Sequence, residues 1–164
     1  MAGGLILVGA TAGLRRSPAA DTIDIAMAGS TGGAHVWFRP AGLLIQPGQT
    51  LRWTNHDAGN SHTATAYHPN FYEKPQRIPA DAQPWDSGFL LPGESFLLTL
   101  TVPGVYDYYC LPHELAGMVG RIIVEGPATD QGWRKLPPDG RIPKQALHSF
   151  PSVERILQEK SVDS

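Results

Sequence analysis

Three side chains with metal-binding chemistry lie within nine residues of one another, at Cys110, His113 and Met118, in the stretch YDYYCLPHELAGMV. Cys110 is the only cysteine among 164 residues, so the chain cannot form an internal disulfide. A lone thiol is an inert core residue, a nucleophile or a metal ligand. A thiolate, an imidazole and a thioether together suit copper, Cu(I) in particular, better than Mg²⁺ or Ca²⁺. The spacing therefore indicates a copper site.

A copper site built on this loop needs a fourth donor from elsewhere, and His62 is the best candidate. It follows the polar stretch WTNHDAGNS and begins the alternating stretch HTATAY. Two histidines, one cysteine and a weak axial methionine form the ligand set of a mononuclear blue-copper electron-transfer site. Structural zinc sites use cysteine and histidine without a thioether. A single cysteine also excludes a binuclear copper centre bridged by two thiolates. We expect no ligand role for the remaining four histidines, His35, His56, His68 and His148.

Short strands must position these donors. Glycine and proline are frequent, with 18 and 15 residues, which favours turns and short strands over long helices. Alternating or apolar runs predict strands within DTIDIAM, AHVWF, GLLIQ, PGQTLRWTN, SHTATAY, LLPGESFLLTLTV, PGVYDYYC and GMVGRIIVEG. Seven or eight such strands predict an all-β fold, an antiparallel β-sandwich.

Strand alternation assigns the neighbours of Cys110 to two faces. If Cys110 points inwards to a metal, Tyr106 and Tyr108 also point inwards, whereas Asp107 and Tyr109 point outwards. We therefore expect Tyr106 and Tyr108 in the core and Tyr109 at the surface.

Composition divides the chain into three segments. Residues 1–20 contain GGLILVGATAGL, which is shorter than the roughly 20 apolar residues that span a bilayer. We interpret this segment as the remnant of an export signal, a membrane anchor or a flexible N-terminus. Residues 21–126 hold the predicted sandwich, including a long proline-rich loop at 68–88. Residues 127–164 form a proline-rich tail, in which HSFPSVERILQEK predicts a short amphipathic helix that packs on the sandwich or on a partner.

The stretch YDYYCLPHELAGMVGRIIVE resembles the ligand loop of plastocyanin and of related small cupredoxins, the pseudoazurins and halocyanin-like proteins. The stretch QPGQTLRWTN, followed by His62, is similar to the segment that leads to the first histidine ligand. The resemblance covers about residues 21–126 and implies a Greek-key β-sandwich with His62, Cys110, His113 and Met118 as ligands of one type 1 copper. Thr63 stands where plastocyanin has an asparagine that helps to hold the cysteine sulfur, so that hydrogen bond is not carried over.

The same resemblance implies how electrons enter and leave. The second histidine of the family reaches an apolar patch facing solvent, which here would comprise Leu111, Pro112, Leu115 and Ala116 around His113. The tyrosine beside the cysteine lies at a surface used by some partners, a role that falls to Tyr109. The expected partners are redox proteins, such as a cytochrome, an oxidase or reductase, or a photosynthetic complex. We expect export, to the periplasm or the outer face of the cytoplasmic membrane, with a possible tether at the N-terminus.

Composition and the number of copper ligands limit which other functions the protein can have. A net charge of −2 gives no basic face for nucleic acid. A copper held by four protein ligands has no open position for a substrate, so we do not expect an enzyme. Two alternatives stay open, a copper storage or delivery protein and a cupredoxin subunit permanently docked in a respiratory or photosynthetic complex.

Overall fold

The computed structural model describes residues 22–31, 34–127 and 140–164, and these residues form two packed β-sheets with short helices at the C-terminal end. The first sheet has the strand order β2-β1-β4-β6 and the second has the order β5-β7-β8-β3-β9. The strands are β1 (Ile23–Gly29), β2 (Val36–Arg39), β3 (Gly42–Ile45), β4 (Thr50–Asn55), β5 (Thr65–Ala66), β6 (Ser95–Thr99), β7 (Gly104–Tyr109), β8 (Val119–Val124) and β9 (Ser161–Val162). The helices are a 3-10 helix (Leu111–Ala116), α1 (Lys144–Ser149) and α2 (Val153–Glu159).

The predicted β-sandwich is confirmed, although its sheets are mixed. β1 pairs with β4 in parallel, and β3 pairs with β8 in parallel, while the other strand pairs are antiparallel. Both parallel pairs join strands that are distant in sequence, so the local pattern of turns did not indicate them. None of the helices in the described part of the chain is long and apolar enough to cross a bilayer.

The core between the sheets is formed by the inward faces that alternation predicts. Tyr106, Tyr108 and Cys110 all lie in this core, at 0–1% exposure. Trp53 lies at its centre and contacts Tyr108 edge to face, with ring centroids 5.4 Å apart. Trp85 brings the long loop 68–88 into the same core. Burial of aromatic rings of this size contributes strongly to the stability of such a sandwich.

The outward face of β7 is covered by the C-terminal tail. α1 and the chain before it place Ile142 and Ala146 against this face, and α2 places Val153 and Ile156 beside them. The short amphipathic helix predicted for the tail is confirmed by α2, whose Val153 and Ile156 are buried. β9 then adds a strand to the edge of the second sheet by pairing with β3. Residues of the tail and of the sandwich therefore share the same buried clusters.

The prediction that Tyr109 lies at the surface is wrong. Its side chain does point away from the inter-sheet core, as alternation requires, but it is fully buried in a cluster with Tyr67, Ile142 and Ala146. The Tyr67 and Tyr109 rings lie 4.5 Å apart. The C-terminal tail covers the Tyr109 ring, and this tail begins beyond the segment that the family resemblance includes.

A buried charge cluster fixes the tail to the sandwich. Asp107 is fully buried and accepts hydrogen bonds from Arg77 Nε at 2.8 Å and from Arg121 Nε at 2.7 Å. The Phe150 ring stacks over both guanidinium groups, 5.4 and 4.9 Å from its centroid. Arg121 also donates to the backbone oxygen of Pro151. One carboxylate thus links the long loop, β8 and the tail.

Candidate metal centre

Three predicted donors converge at one end of the sandwich. Cys110 Sγ lies 3.5 Å from His62 Nδ1 and 3.4 Å from His113 Nδ1, and all three atoms lie within 4.8 Å of one another. His62 and Cys110 are fully buried, whereas His113 is half-buried. Within the described ranges this is the only group of three such side chains close enough to hold a metal ion.

The loop from Cys110 to Met118 brings its donors together by turning sharply. Cys110 N donates to Met118 O at 3.0 Å, and Met118 N donates to His113 O at 3.2 Å. The turn passes through Gly117, whose φ of 85° lies in the left-handed region that favours glycine. A Cβ at Gly117 would also lie 2.4 Å from Ser149 Oγ of α1. The tail therefore packs directly against this ligand loop.

Met118 occupies the expected place beside the other donors. Its side chain is fully buried in the inter-sheet core, in the same cluster as Cys110. The backbone hydrogen bonds just described place it next to Cys110 and His113.

Thr63 organises the surroundings of the cysteine thiol. Its backbone N–H points at Cys110 Sγ over 3.4 Å, and its hydroxyl oxygen accepts from Leu111 N at 2.8 Å. The hydroxyl also lies 2.9 Å from Thr65 Oγ1. Threonine thus ties the first histidine segment to the ligand loop at the position where plastocyanin has asparagine. Sequence reasoning missed this role, because only the tertiary contact reveals it.

Burial favours the neutral forms of all three donors. It raises the pKa of the Cys110 thiol to about 11, although hydrogen bonds from Thr63 and His113 oppose the shift. Burial also lowers the pKa of His62 and of His113. Neutral imidazoles have free lone pairs for a metal, whereas the thiol must lose its proton when a metal binds.

Asp57 is a second residue that sequence reasoning missed. Its Oδ2 lies 3.1 Å from His62 Nε2, and both side chains are buried, at 5% and 0% exposure. Burial alone would raise the pKa of Asp57, but hydrogen bonds from Asn60, Gly59 and His62 outweigh it and hold the pKa at about 2. Asp57 stands five residues before His62 in a polar turn, and nothing in that turn indicates a contact with the histidine.

His113 is half-buried, and the residues predicted for an electron-transfer surface adjoin it in the chain. Pro112, Leu115 and Ala116 are exposed, and Leu115 is 80% exposed. Leu111 is half-buried and packs beside Tyr109 and Val119 under the tail. Three of the four predicted patch residues therefore face solvent around His113.

The donor set fits copper. One thiol and two imidazole nitrogens, with a buried thioether residue next to them, combine soft and borderline ligands that accept both Cu(II) and Cu(I). Hard cations such as Ca²⁺ take oxygen ligands, and the three convergent atoms include none. The sandwich and this site together define a cupredoxin.

Comparison with known proteins identifies the family. The profile of the family of copper binding proteins, the plastocyanin/azurin family, matches residues 25–125. The chain is 36% identical over 118 residues to the chloroplastic plastocyanin of Tetradesmus obliquus, and this match covers 71% of the chain and 76% of that protein. It is 41% identical over 90 residues to the chloroplastic plastocyanin of Chlamydomonas reinhardtii, and this match covers 54% of the chain and 58% of that protein. The chain therefore belongs to the plastocyanin/azurin family of copper binding proteins.

A solved structure supports the same conclusion. A pseudoazurin from Sinorhizobium is 26% identical, with a TM-score of 0.59, and the match covers 84% of this chain and 94% of that one. The predictions of a cupredoxin fold and of copper as the cofactor are thus confirmed. The predicted functional class, a type 1 copper electron-transfer protein that acts with redox partners, is confirmed as well.

Proposed function

We propose that this protein carries one electron at a time between redox partners, through one copper held by His62, Cys110, His113 and Met118. The observation that carries the proposal is the convergence of two Nδ1 atoms and one thiol within 4.8 Å in a family of copper binding proteins. Copper bound there would supply the Cu(II)/Cu(I) couple. We do not propose a reaction on a substrate, because four protein donors leave no coordination position for one.

The protein contributes a rigid frame for these donors. Cys110 follows β7 directly, and its sulfur is contacted by the Thr63 N–H. His62 is held on its far side by Asp57. Because each donor is fixed by packing and hydrogen bonds, little rearrangement is needed between two oxidation states, which favours fast electron transfer.

We propose that electrons pass through the half-buried edge of His113. Pro112, Leu115 and Ala116 present exposed apolar surface next to it in the chain, and Leu111 packs against the cluster that contains Tyr109. The alternative exit through Tyr109 is closed, since the tail buries that ring. A small apolar patch suits a transient interface with a redox protein such as a cytochrome, an oxidase or reductase, or a photosynthetic complex.

We further propose that residues 21–126 are the copper domain, that 127–164 stabilise it, and that the protein works in the periplasm or on the outer face of the cytoplasmic membrane. The buried apolar face of α2 supports a folding role for the tail rather than permanent docking. The proposed tether at residues 1–20 lies outside the described residues. Sequencing the N-terminus of the protein isolated from cells would show whether this segment is retained.

One comparison of rates separates an electron carrier from a copper storage or delivery protein. The copper-loaded protein is reduced by a small inorganic reductant, and the Cu(I) form is mixed with a Cu(I) chelator. An electron carrier should be reduced many times faster than it loses Cu(I) to the chelator, because two donors are fully buried. Loss of Cu(I) at a rate comparable with reduction would favour storage or delivery.

A further inference from the structure

The carboxylate of Asp57 lies next to His62, and this contact indicates a role beyond that of holding the turn around Asp57. We propose that Asp57 is a positioning residue that fixes His62 Nδ1 as the metal-binding nitrogen and lowers the reduction potential of the bound copper. This inference rests on the proposed function, because it concerns the same metal centre.

The two ring nitrogens of His62 face different partners. Nδ1 lies 3.5 Å from Cys110 Sγ, and Nε2 lies 3.1 Å from Asp57 Oδ2. A carboxylate can only accept a hydrogen bond, so the proton of the neutral ring resides on Nε2. Nδ1 is then left with its lone pair directed at the site of the metal. The Asp57 contact therefore selects the tautomer that copper requires.

The position of Asp57 is specified from several sides. Asn60 Nδ2 donates to Oδ2 and Gly59 N donates to Oδ1, each over 2.8 Å. The backbone N–H of Asp57 donates to Asn55 Oδ1 at 2.8 Å. These contacts fix the carboxylate before any metal binds.

β1 leaves space for this carboxylate. A Cβ added at Gly29, the last residue of β1, would lie 2.0 Å from Asp57 Oδ2. Any side chain at that position would force the carboxylate to move. The Gly29 backbone thus forms one wall of the Asp57 site.

The charge of Asp57 acts on the redox equilibrium. The thiolate and the carboxylate together contribute two negative charges, so the centre is neutral with Cu(II) and has one excess negative charge with Cu(I). Excess charge is disfavoured at a buried site, and Asp57 is only 5% exposed. A carboxylate partner also makes a ligating imidazole more basic, which strengthens its bond to the more highly charged ion. Both effects stabilise the oxidised form.

Replacing Asp57 with asparagine tests this role, since Asp57→Asn removes the charge and nearly preserves the shape. Loss of such a partner costs about 10–100-fold in metal affinity. If Cu(II) affinity falls and Cu(I) affinity does not, the reduction potential rises by about 59 mV for each tenfold loss of Cu(II) affinity. Asp24→Asn is the matched control, because it makes the same charge change at an exposed residue of β1 that pairs with Arg52.

Two measurements decide the outcome. Voltammetry should show a positive shift for Asp57→Asn and none of that size for Asp24→Asn, and an unchanged potential in a folded, coloured Asp57→Asn protein would overturn the proposal. Nitrogen NMR of the copper-free protein should show a single His62 tautomer, with the proton on Nε2, which Asp57→Asn converts to a mixture. This second measurement needs no copper, so it tests Asp57 even if the proposed electron-transfer function fails. An unchanged single tautomer in Asp57→Asn would contradict the positioning role.

Discussion

Replacing Asp107 with asparagine should destabilise the protein more than any change at an exposed charge. Asp107 is fully buried, and its two oxygens accept hydrogen bonds from Arg77 and Arg121 over 2.7–3.0 Å. The variant would remove the buried carboxylate that pairs with both guanidinium groups beneath the ring of Phe150. Removing one partner of a buried ion pair costs about 3–5 kcal/mol. Domains of this size have a total stability of about 5–15 kcal/mol, so the loss is a large fraction of it.

Urea denaturation of the copper-free protein measures this loss. Tryptophan fluorescence should report the transition, because Trp53 and Trp85 lie in the core. A loss of about 4 kcal/mol corresponds to a melting temperature lower by roughly 10–15 °C. Asp24→Asn is again the control and should leave the midpoint almost unchanged, since the Asp24 side chain is 61% exposed. A loss below about 1 kcal/mol for Asp107→Asn would refute the argument that the buried cluster fixes the tail.

Two further predictions concern the copper ligands. Met118→Leu should raise the reduction potential, because an axial thioether stabilises Cu(II). The variant should keep its visible colour, since the colour comes from the bond between the thiolate and Cu(II). An unchanged potential in voltammetry would argue against axial ligation. Burial raises the pKa of Cys110 to about 11, above its ordinary value, so the protonated thiol stabilises the folded copper-free protein at neutral pH. The unfolding free energy, measured in urea, should therefore fall between about pH 9 and 11, and more steeply than in Cys110→Ala. Parallel pH profiles in the two proteins would show that the thiol makes no such contribution.

The strands and the ligand loop could be predicted from the sequence because their signals are local. Alternation in β7 assigned Tyr106 and Tyr108 to the core, and turn residues near Cys110 indicated a loop able to gather several donors. The spacing of Val153 and Ile156 also predicted a helix with one apolar face. Each of these inferences needs only residues close together in the chain.

What the sequence did not reveal depends on contacts between distant segments. Tyr109 was predicted to be exposed because alternation says which way a side chain points, and not whether another segment covers it. The cover is a tail that returns more than 30 residues later to place Ile142 and Ala146 on the ring. Asp57 and Thr63 were missed for a related reason, since their partners are side chains and a sulfur that local turn signals do not specify.

The visible spectrum of the copper-loaded protein tests the central claim most directly. Adding Cu(II) to the purified copper-free protein should produce the intense visible absorption of a bond between a thiolate and Cu(II), with one copper bound per chain. Cys110→Ala should bind without this colour, because it removes the only thiolate in the chain. A wild-type protein that stays colourless after loading with Cu(II), while remaining folded, would contradict the assignment of this site as a type 1 copper centre.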